Sequence, residues 1–162
     1  MADILVFTTG GTIDKIYFDS KSEFEVGGSM VGELLRQAHV TRDVRIQELL
    51  RKDSLEMTDA DRAAIRTAAQ AAPESRIVIT HGTDTMTDTA EALCSVSGKT
   101  IVLTGALEPA RFAVTDATFN VGMAFAAVQT LAPGVYIVMN GHIFEAGKVR
   151  KDRAGNRFVA TG

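Results

Sequence analysis

DILVFTTGGTI, residues 3 to 13, is the stretch from which the rest of the chain can be interpreted. Ile4 to Thr8 forms an uncharged, largely apolar run that leads into two glycines and then Thr12. An apolar run that stops at glycines is typical of a strand covered on both faces, as in a parallel sheet. Ligands of open α/β sheets bind beyond the carboxyl ends of the strands, so we expect Thr12 to lie at a binding site.

A second stretch, RIVITHGTDTM at residues 76 to 86, repeats this design. Ile77 to Thr80 has the pattern of a buried strand, and a turn containing Gly82, Thr83 and Asp84 follows it. Because the carboxyl ends of parallel strands meet at one edge of a sheet, the two turns should bring two threonine hydroxyls and one carboxylate together. The sequence therefore predicts the active site at this edge.

Further periodic segments follow between and after these two stretches. Strands are expected at 43–48, 99–104 and 135–139, and helices at about 30–38, 58–72, 85–95 and 116–131. The polar segment 14–28 is expected to be a mobile flap beside Thr12, since long connections are often lids or binding loops. The helix at 116–131 should bury Phe119, Met123, Ala127 and Leu131, and residues 143–144 and 149–151 should pair as a C-terminal hairpin.

Strands and helices thus alternate along the whole chain. This alternation predicts one α/β domain over residues 1–162, with a doubly wound, flavodoxin- or Rossmann-like, mostly parallel sheet. We expect about five strands, helices on both faces and the C-terminal β-hairpin.

Composition limits the possible functions. A hydrophobic content of 46% in 162 residues supports a folded domain with a substantial core. The formal net charge of -3 argues against nucleic acid and anionic membranes as partners, and no apolar run reaches the roughly 18 residues of a membrane span. The single cysteine, Cys94, excludes an intrachain disulfide. We expect a cytoplasmic protein.

The two turns offer the groups that acyl-transfer chemistry needs. Backbone N–H groups of Gly11 and Gly82 could form an oxyanion hole while a threonine hydroxyl attacks a carbonyl. Threonine is a weak nucleophile and needs a base, for which Lys151 and the phenol of Tyr17 are the candidates. Asp84 could hold a substrate ammonium or orient a lysine.

Plainer interpretations compete with this one. A Gly-Gly-Thr turn after a strand is, taken alone, more often only a tight turn. The three histidines lack metal-ligand spacing, so no metal is expected. Neither the dinucleotide fingerprint nor the phosphate-binding P-loop pattern is present, although a flavodoxin-like nucleotide binder remains a third class to test.

The two quoted motifs also resemble a known family. TTGGTI at 8–13 and HGTDTM at 81–86 are similar to the signature motifs of bacterial-type L-asparaginases and related glutaminases. The resemblance covers nearly the whole chain and corresponds to the larger, N-terminal domain of that family. It implies hydrolysis of the side-chain amide of L-asparagine, and of L-glutamine as a second possible substrate, through an acyl-enzyme and without metal or organic cofactor.

The resemblance also assigns roles to single residues. It makes Thr12 the nucleophile, Thr83 the second catalytic threonine, and Asp84 the contact of the substrate's α-amino group. Ser54, in DSLEM at 53–57, is similar to the serine that binds the substrate carboxylate. VMNGHIFEAGKVRK at 138–151 resembles the family segment that ends in a lysine, which makes Lys151 the partner of Thr83 and Asp84.

Three departures from the family accompany these assignments. Leu55 stands where many members have glutamine, and Phe24 stands where the flap tyrosine is expected, so Tyr17 is the candidate to replace it. The sequence ends at Gly162, where members continue into a smaller domain. Family members are dimers or tetramers, so we expect a homodimer or homotetramer. The alternative function is an amino-acid-binding or regulatory module with little or no turnover.

Overall fold

The computed structural model describes residues 1–18 and 23–162. The helices in this part are α1 (Val31–Gln37), α2 (Asp59–Ala71), α3 (Met86–Ala92) and α4 (Ala117–Thr130). The strands are β1 (Ile4–Gly10), β2 (Lys15–Phe18), β3 (Glu23–Val26), β4 (Val44–Lys52), β5 (Arg76–Thr80), β6 (Thr100–Thr104), β7 (Gly134–Met139), β8 (His142–Glu145), β9 (Val149–Asp152) and β10 (Arg157–Ala160).

The central sheet has six strands in the order β4-β1-β5-β6-β7-β8. Its first five strands are mutually parallel, and β8 pairs with β7 in the antiparallel direction. The register aligns Thr8 of β1 with Thr80 of β5, and Thr80 with Thr104 of β6. β5 and β6 therefore end level with each other, β1 continues to Gly10, and the loops that follow the three strands lie along one edge of the sheet.

The core lies on both faces of this sheet, as the unbroken apolar runs predict. Side chains of successive strand residues point to opposite faces, so Leu5 and Phe7 join one buried cluster while Ile4 and Val6 join the other. Helices α2 and α3 pack on the first face, and α1 and α4 on the second. The predicted doubly wound architecture is confirmed.

The start of α2 also follows the sequence pattern. The Thr58 hydroxyl accepts from the Asp61 N–H at 3.2 Å, and the Asp61 carboxylate accepts from the Thr58 N–H at 2.9 Å. Asp61 replaces the usual Glu or Gln of this capping box. Its carboxylate also accepts from Lys52 at 2.9 Å, which fixes α2 to the carboxyl end of β4.

The predicted buried face of α4 is wrong in part. Phe119 is 65% exposed, and the buried positions include Val121, Ala124 and Val128 instead. The helix carries no charged residue, so hydrophobic periodicity alone does not select a face. The buried Asn120 marks the inner face by donating to the carbonyl of Gly105 at 2.9 Å.

The two hairpins differ from expectation in detail. Part of the segment 14–28 forms strands β2 and β3, which pair with each other, and its residues 19–22 lie outside the described residues. A C-terminal hairpin is present, but β9 and β10 form it as a separate two-stranded sheet, because β8 extends the main sheet instead. Strand β4 is also longer than predicted and forms one edge of the main sheet. Within the described residues, no helix has the length and hydropathy that crossing a bilayer requires.

Candidate active site

Direct contact between backbone segments builds the candidate site. Gly11 donates to the carbonyl of Lys52 at 2.9 Å and has φ of 88°, which favours glycine. A Cβ on Gly11 would collide with the backbone nitrogen of Gly82. A Cβ on Gly82 would lie 2.6 Å from both Cβ and Oγ of Ser54. The two turns and the Ser54 segment are therefore packed against each other without intervening side chains.

Thr12 begins a short 3₁₀ turn, Thr12–Asp14, directly after Gly11. Its side chain is half-buried, and its hydroxyl forms no hydrogen bond with another described residue. The turn is closed by a bond of 3.1 Å from the Asp14 N–H to the Gly11 carbonyl. The hydroxyl is thus held at the predicted edge of the sheet with its hydrogen-bonding capacity available to a ligand.

Thr83, Asp84 and Lys151 form a hydrogen-bonded group. The Lys151 Nζ donates to Thr83 Oγ1 at 2.8 Å and to Asp84 Oδ1 at 2.9 Å. The side chain of Lys151 is 13% exposed and that of Asp84 is 29% exposed, so water screens this pair only partly. Arg153 lies 3.8 Å from the same Asp84 oxygen. The Asp84 carboxylate therefore faces two cationic side chains.

Ser54 is fixed to the second turn by two hydrogen bonds. Its buried Oγ accepts from the Thr85 N–H at 3.3 Å, and its carbonyl accepts from the Thr85 hydroxyl at 2.9 Å. Asp53 caps the 3₁₀ turn Ser54–Glu56 by accepting from the Leu55 N–H at 3.0 Å. Lys15 at the start of β2 lies 3.0 Å from the other Asp53 oxygen, which ties the β2–β3 hairpin to this turn.

The carboxyl of Asp53 stays ionised in this setting. Burial alone would raise its pKa, but the Leu55 N–H and the nearby Lys15 and Lys151 together lower the pKa below its ordinary value. Asp53 thus places a fixed negative charge one residue before Ser54.

His81 has a structural role in this geometry. Its buried ring donates from Nδ1 to the Gly82 carbonyl at 2.7 Å, which leaves Nε2 to accept from the Thr89 hydroxyl at 2.7 Å. Burial lowers the pKa of His81 to about 4, so the ring is neutral. Both ring nitrogens of His81 are thus bonded to nearby groups of the second turn and α3.

Tyr17 lies outside the hydrogen-bonded group. It stands directly opposite Phe24 across the β2–β3 hairpin, with ring centroids 5.2 Å apart, and Phe24 in turn contacts Phe112 at 5.9 Å. Tyr17 is 45% exposed, and its phenol makes no hydrogen bond to any other residue that the structure describes. The hairpin therefore presents its aromatic side chains as a cluster.

Two features of the site were not anticipated from the sequence. Asp14 is 1% exposed, and its carboxylate accepts from the Met30 N–H at 3.0 Å. Burial raises the pKa of Asp14 to about 6, against the opposing effects of the Met30 N–H and Arg111. Its position next to an apolar strand and a glycine turn was the only sequence signal for this burial.

A cavity of about 470 Å³ is the second unanticipated feature. It lies between the β2–β3 hairpin on one side and the end of β4 with the following turn on the other. Its lining includes Lys15, Phe24, Arg51, Asp53 and Leu55. Within residues 1–18 and 23–162, no group of three or more His, Cys, Asp or Glu side chains could hold a metal ion.

Comparisons with known proteins show what the chain is similar to. The family model described as "Asparaginase, N-terminal" matches residues 3–159. The chain is 30% identical over 158 residues to the L-asparaginase of Thermococcus kodakarensis, covering 91% of this chain and 47% of that protein. It is also 29% identical over 181 residues to a component of the glutamyl-tRNA(Gln) amidotransferase of Methanococcus maripaludis, covering 97% of this chain and 41% of that protein.

A solved structure shows the same similarity in three dimensions. The probable cytoplasmic L-asparaginase from Campylobacter jejuni has a TM-score of 0.84 and 29% identity, covering 99% of this chain and 54% of that one. The chain spans about half or less of the length of these relatives.

Proposed function

The chain belongs to the asparaginase family, and on that premise we propose that it hydrolyses the side-chain amide of L-asparagine to L-aspartate and ammonia. The observation that carries this proposal is the group of Thr83, Asp84 and Lys151 beside the Gly11–Gly82 contact. It combines hydroxyl, carboxylate and amine at the edge of the sheet where α/β proteins bind ligands.

The proposed reaction begins at Thr12. Its hydroxyl oxygen attacks the amide carbon, and backbone N–H groups of the glycine turns stabilise the oxyanion that develops. The proton of the attacking hydroxyl must pass to a base, and Thr83 with Lys151 is the candidate acceptor because these two side chains are already hydrogen-bonded. The same proton then goes to the leaving nitrogen, which departs as ammonia.

Water completes the proposed cycle. It attacks the acyl-enzyme ester on Thr12, its proton passes to Thr83–Lys151, and that proton is then delivered to the Thr12 oxygen as aspartate leaves. A threonine ester is an intermediate of the covalent type that splits one difficult step into two easier ones.

Substrate recognition follows from the remaining charges. Asp84 is the proposed partner of the substrate ammonium, and Ser54 the proposed partner of its carboxylate. Glutamine is the other candidate substrate, since one methylene changes binding by only about 1–3 kcal/mol.

An amino-acid-binding module with little turnover is the second candidate. The observation that favours it is that the Thr12 hydroxyl forms no hydrogen bond with a base among the described residues. In that case the pocket would bind aspartate while ammonia release stays at background.

Within the proposal, the chain acts in the cytoplasm as a homodimer or homotetramer, which subcellular fractionation and sedimentation velocity would test.

Ammonia release from L-asparagine and L-glutamine is the decisive experiment. The wild-type chain and its Thr12→Ser and Thr12→Ala variants should be compared, together with calorimetric binding of aspartate. We expect turnover by the wild type, reduced turnover by Thr12→Ser and loss in Thr12→Ala, with aspartate bound by all three. Normal turnover by Thr12→Ala would exclude Thr12 as nucleophile, and aspartate binding without turnover by the wild type would favour the binding module.

A further inference from the structure

Lys151 reaches the candidate site from a hairpin that shares no ladder with the main sheet in the described residues. Strands β9 and β10 pair only with each other, and an isolated two-stranded hairpin is marginally stable in water. The hairpin therefore depends on contacts with the rest of the protein to hold Lys151 in place.

Two kinds of contact anchor this hairpin. Val149 and Phe158 insert into the buried cluster on one face of the sheet, which fixes the hairpin through non-directional packing. A directional contact comes from Asn140, whose side-chain oxygen accepts a hydrogen bond from the Phe158 N–H at 2.8 Å. Asn140 belongs to the turn between β7 and β8, so this bond connects the hairpin to the main sheet.

The hydrogen bond from Phe158 to Asn140 lies next to Lys151. Phe158 is the register partner of Lys151, directly across the antiparallel pair. Opposed residues of such a pair lie on the same face within about 4.5–5.5 Å at Cβ, so a shift of Phe158 is passed to Lys151. The hydrogen bond to Asn140 thus fixes the residue that stands beside the lysine.

The backbone at Asn140 supports a specific role. Its φ is 54°, a left-handed conformation that asparagine adopts more readily than most residues. This conformation belongs to the turn between β7 and β8, from which the side-chain oxygen reaches Phe158. Glycine could keep the backbone but not the acceptor, and aspartate could keep both.

We propose that Asn140 is a positioning residue that sets the location of Lys151 through Phe158. In the described part of the chain, Asn140 forms no hydrogen bond with Thr83 or Asp84. It holds β10 in place, and β10 in turn positions Lys151 on β9. The expected effect of Asn140 on turnover rests on the proposed function. Its expected effect on the position of Lys151 does not.

The first test needs no turnover. Lysine labelling by acetic anhydride, followed by mass spectrometry, reports how well the Lys151 Nζ is protected by Thr83 and Asp84. Asn140→Gly should raise labelling of Lys151 severalfold relative to Lys99, whose Nζ donates to two backbone carbonyls far from the hairpin. Asn140→Asp should restore protection. Asn156→Gly is the matched control, because Asn156 has a φ of 48° in an exposed turn.

The second test uses ammonia release. Asn140→Gly should lower kcat about tenfold with little change in KM, since a displacement near 1 Å can cost up to 100-fold. In a Lys151→Met background the same substitution should cost nothing further. Unchanged Lys151 labelling in a folded Asn140→Gly variant would overturn the proposal, as would equal labelling of Asn140→Gly and Asn156→Gly. Changed labelling without any turnover by the wild type would leave the positioning role intact and count against the proposed hydrolase.

Discussion

The Nζ of Lys151 lies 2.8 Å from the hydroxyl oxygen of Thr83. An ammonium has three donors and no acceptor, whereas a neutral amine has a lone pair that accepts. The contact can therefore carry a proton in either direction, depending on which form is present. The same Nζ also donates to the Asp84 carboxylate at 2.9 Å.

Lys151→Met should abolish most of the proposed activity. The substitution keeps an unbranched side chain but removes the donor shared by Thr83 and Asp84, and general acid–base catalysis contributes about 10²–10⁴-fold. We expect ammonia release to fall at least about 100-fold. Lys148→Met is the control, because the side chain of Lys148 is 67% exposed and pairs with Glu145, away from the site. Similar losses in both variants would argue against a specific role for Lys151.

Gly82→Ala should damage both stability and binding. The added Cβ would lie 2.6 Å from Cβ and Oγ of Ser54, and overpacking of this kind costs about 1–3 kcal/mol. Gly122→Ala is the matched control, since a Cβ there meets nothing within 4 Å and lies within α4. Replacing glycine in a helix should stabilise by about 0.5–1 kcal/mol. Urea unfolding of both variants would show opposite signs if this packing argument is right.

Asp14→Asn should stabilise the protein at neutral pH. The pKa of about 6 in the folded chain lies above the ordinary 3.8, so the folded state binds more protons between these values. The contribution of Asp14 to the free energy of unfolding is therefore highest at low pH and falls as the pH rises from about 4 to about 6.

The asparagine variant removes that dependence. Its side-chain oxygen can still accept from Met30, so the free energy of unfolding at pH 7.5 should rise by about 1–3 kcal/mol, with no difference near pH 4. Thermal unfolding over this pH range would measure the effect. Asp43→Asn, at an exposed position, should change stability little. Equal stability of Asp14→Asn and wild type at pH 7.5 would contradict a buried, destabilising carboxylate.

His81 should remain neutral from pH 5 to pH 8. Its pKa of about 4 lies below the ordinary 6.5, so only the unfolded chain takes up a proton as pH falls through 6.5. The contribution of His81 to stability is thus complete above pH 6.5 and declines toward pH 4, opposite to that of Asp14. Nitrogen NMR of the ring should show the Nδ1–H tautomer throughout. A ring that titrates near pH 6.5 would mean that the bonds to Gly82 and Thr89 do not persist in solution.

The sequence predicted the sheet because its apolar runs are unambiguous. β1 is buried over its whole length, and the neighbouring carboxyl ends of β1 and β5 bring Gly11 and Gly82 together. The positions of Lys151 and Asn140 depend instead on which strands pair. The alternation of residues 143–151 fits either a local hairpin or an extension of the main sheet. In the structure β8 pairs with β7 and β9 pairs with β10, and the local pattern does not distinguish between these pairings.

The inner face of α4 and the burial of Asp14 were unpredictable for a related reason. A helix without charges has no polar face to orient it, so the position of Asn120 decides which side is buried. The charge of Asp14 argued for exposure, but the Met30 N–H satisfies the carboxylate in a nearly water-free position.

The separation of the β9–β10 hairpin from the main sheet has a consequence for the native ensemble. Proteins open in cooperative units whose free energies range from near zero up to that of global unfolding. A hairpin held by two buried side chains, the Asn140 hydrogen bond and the contacts of Lys151 belongs to the less stable units, whereas β1, β5 and β6 belong to the most stable. Opening of this unit would withdraw the lysine and leave the sheet folded, so the fraction of competent molecules can fall well before any loss of secondary structure.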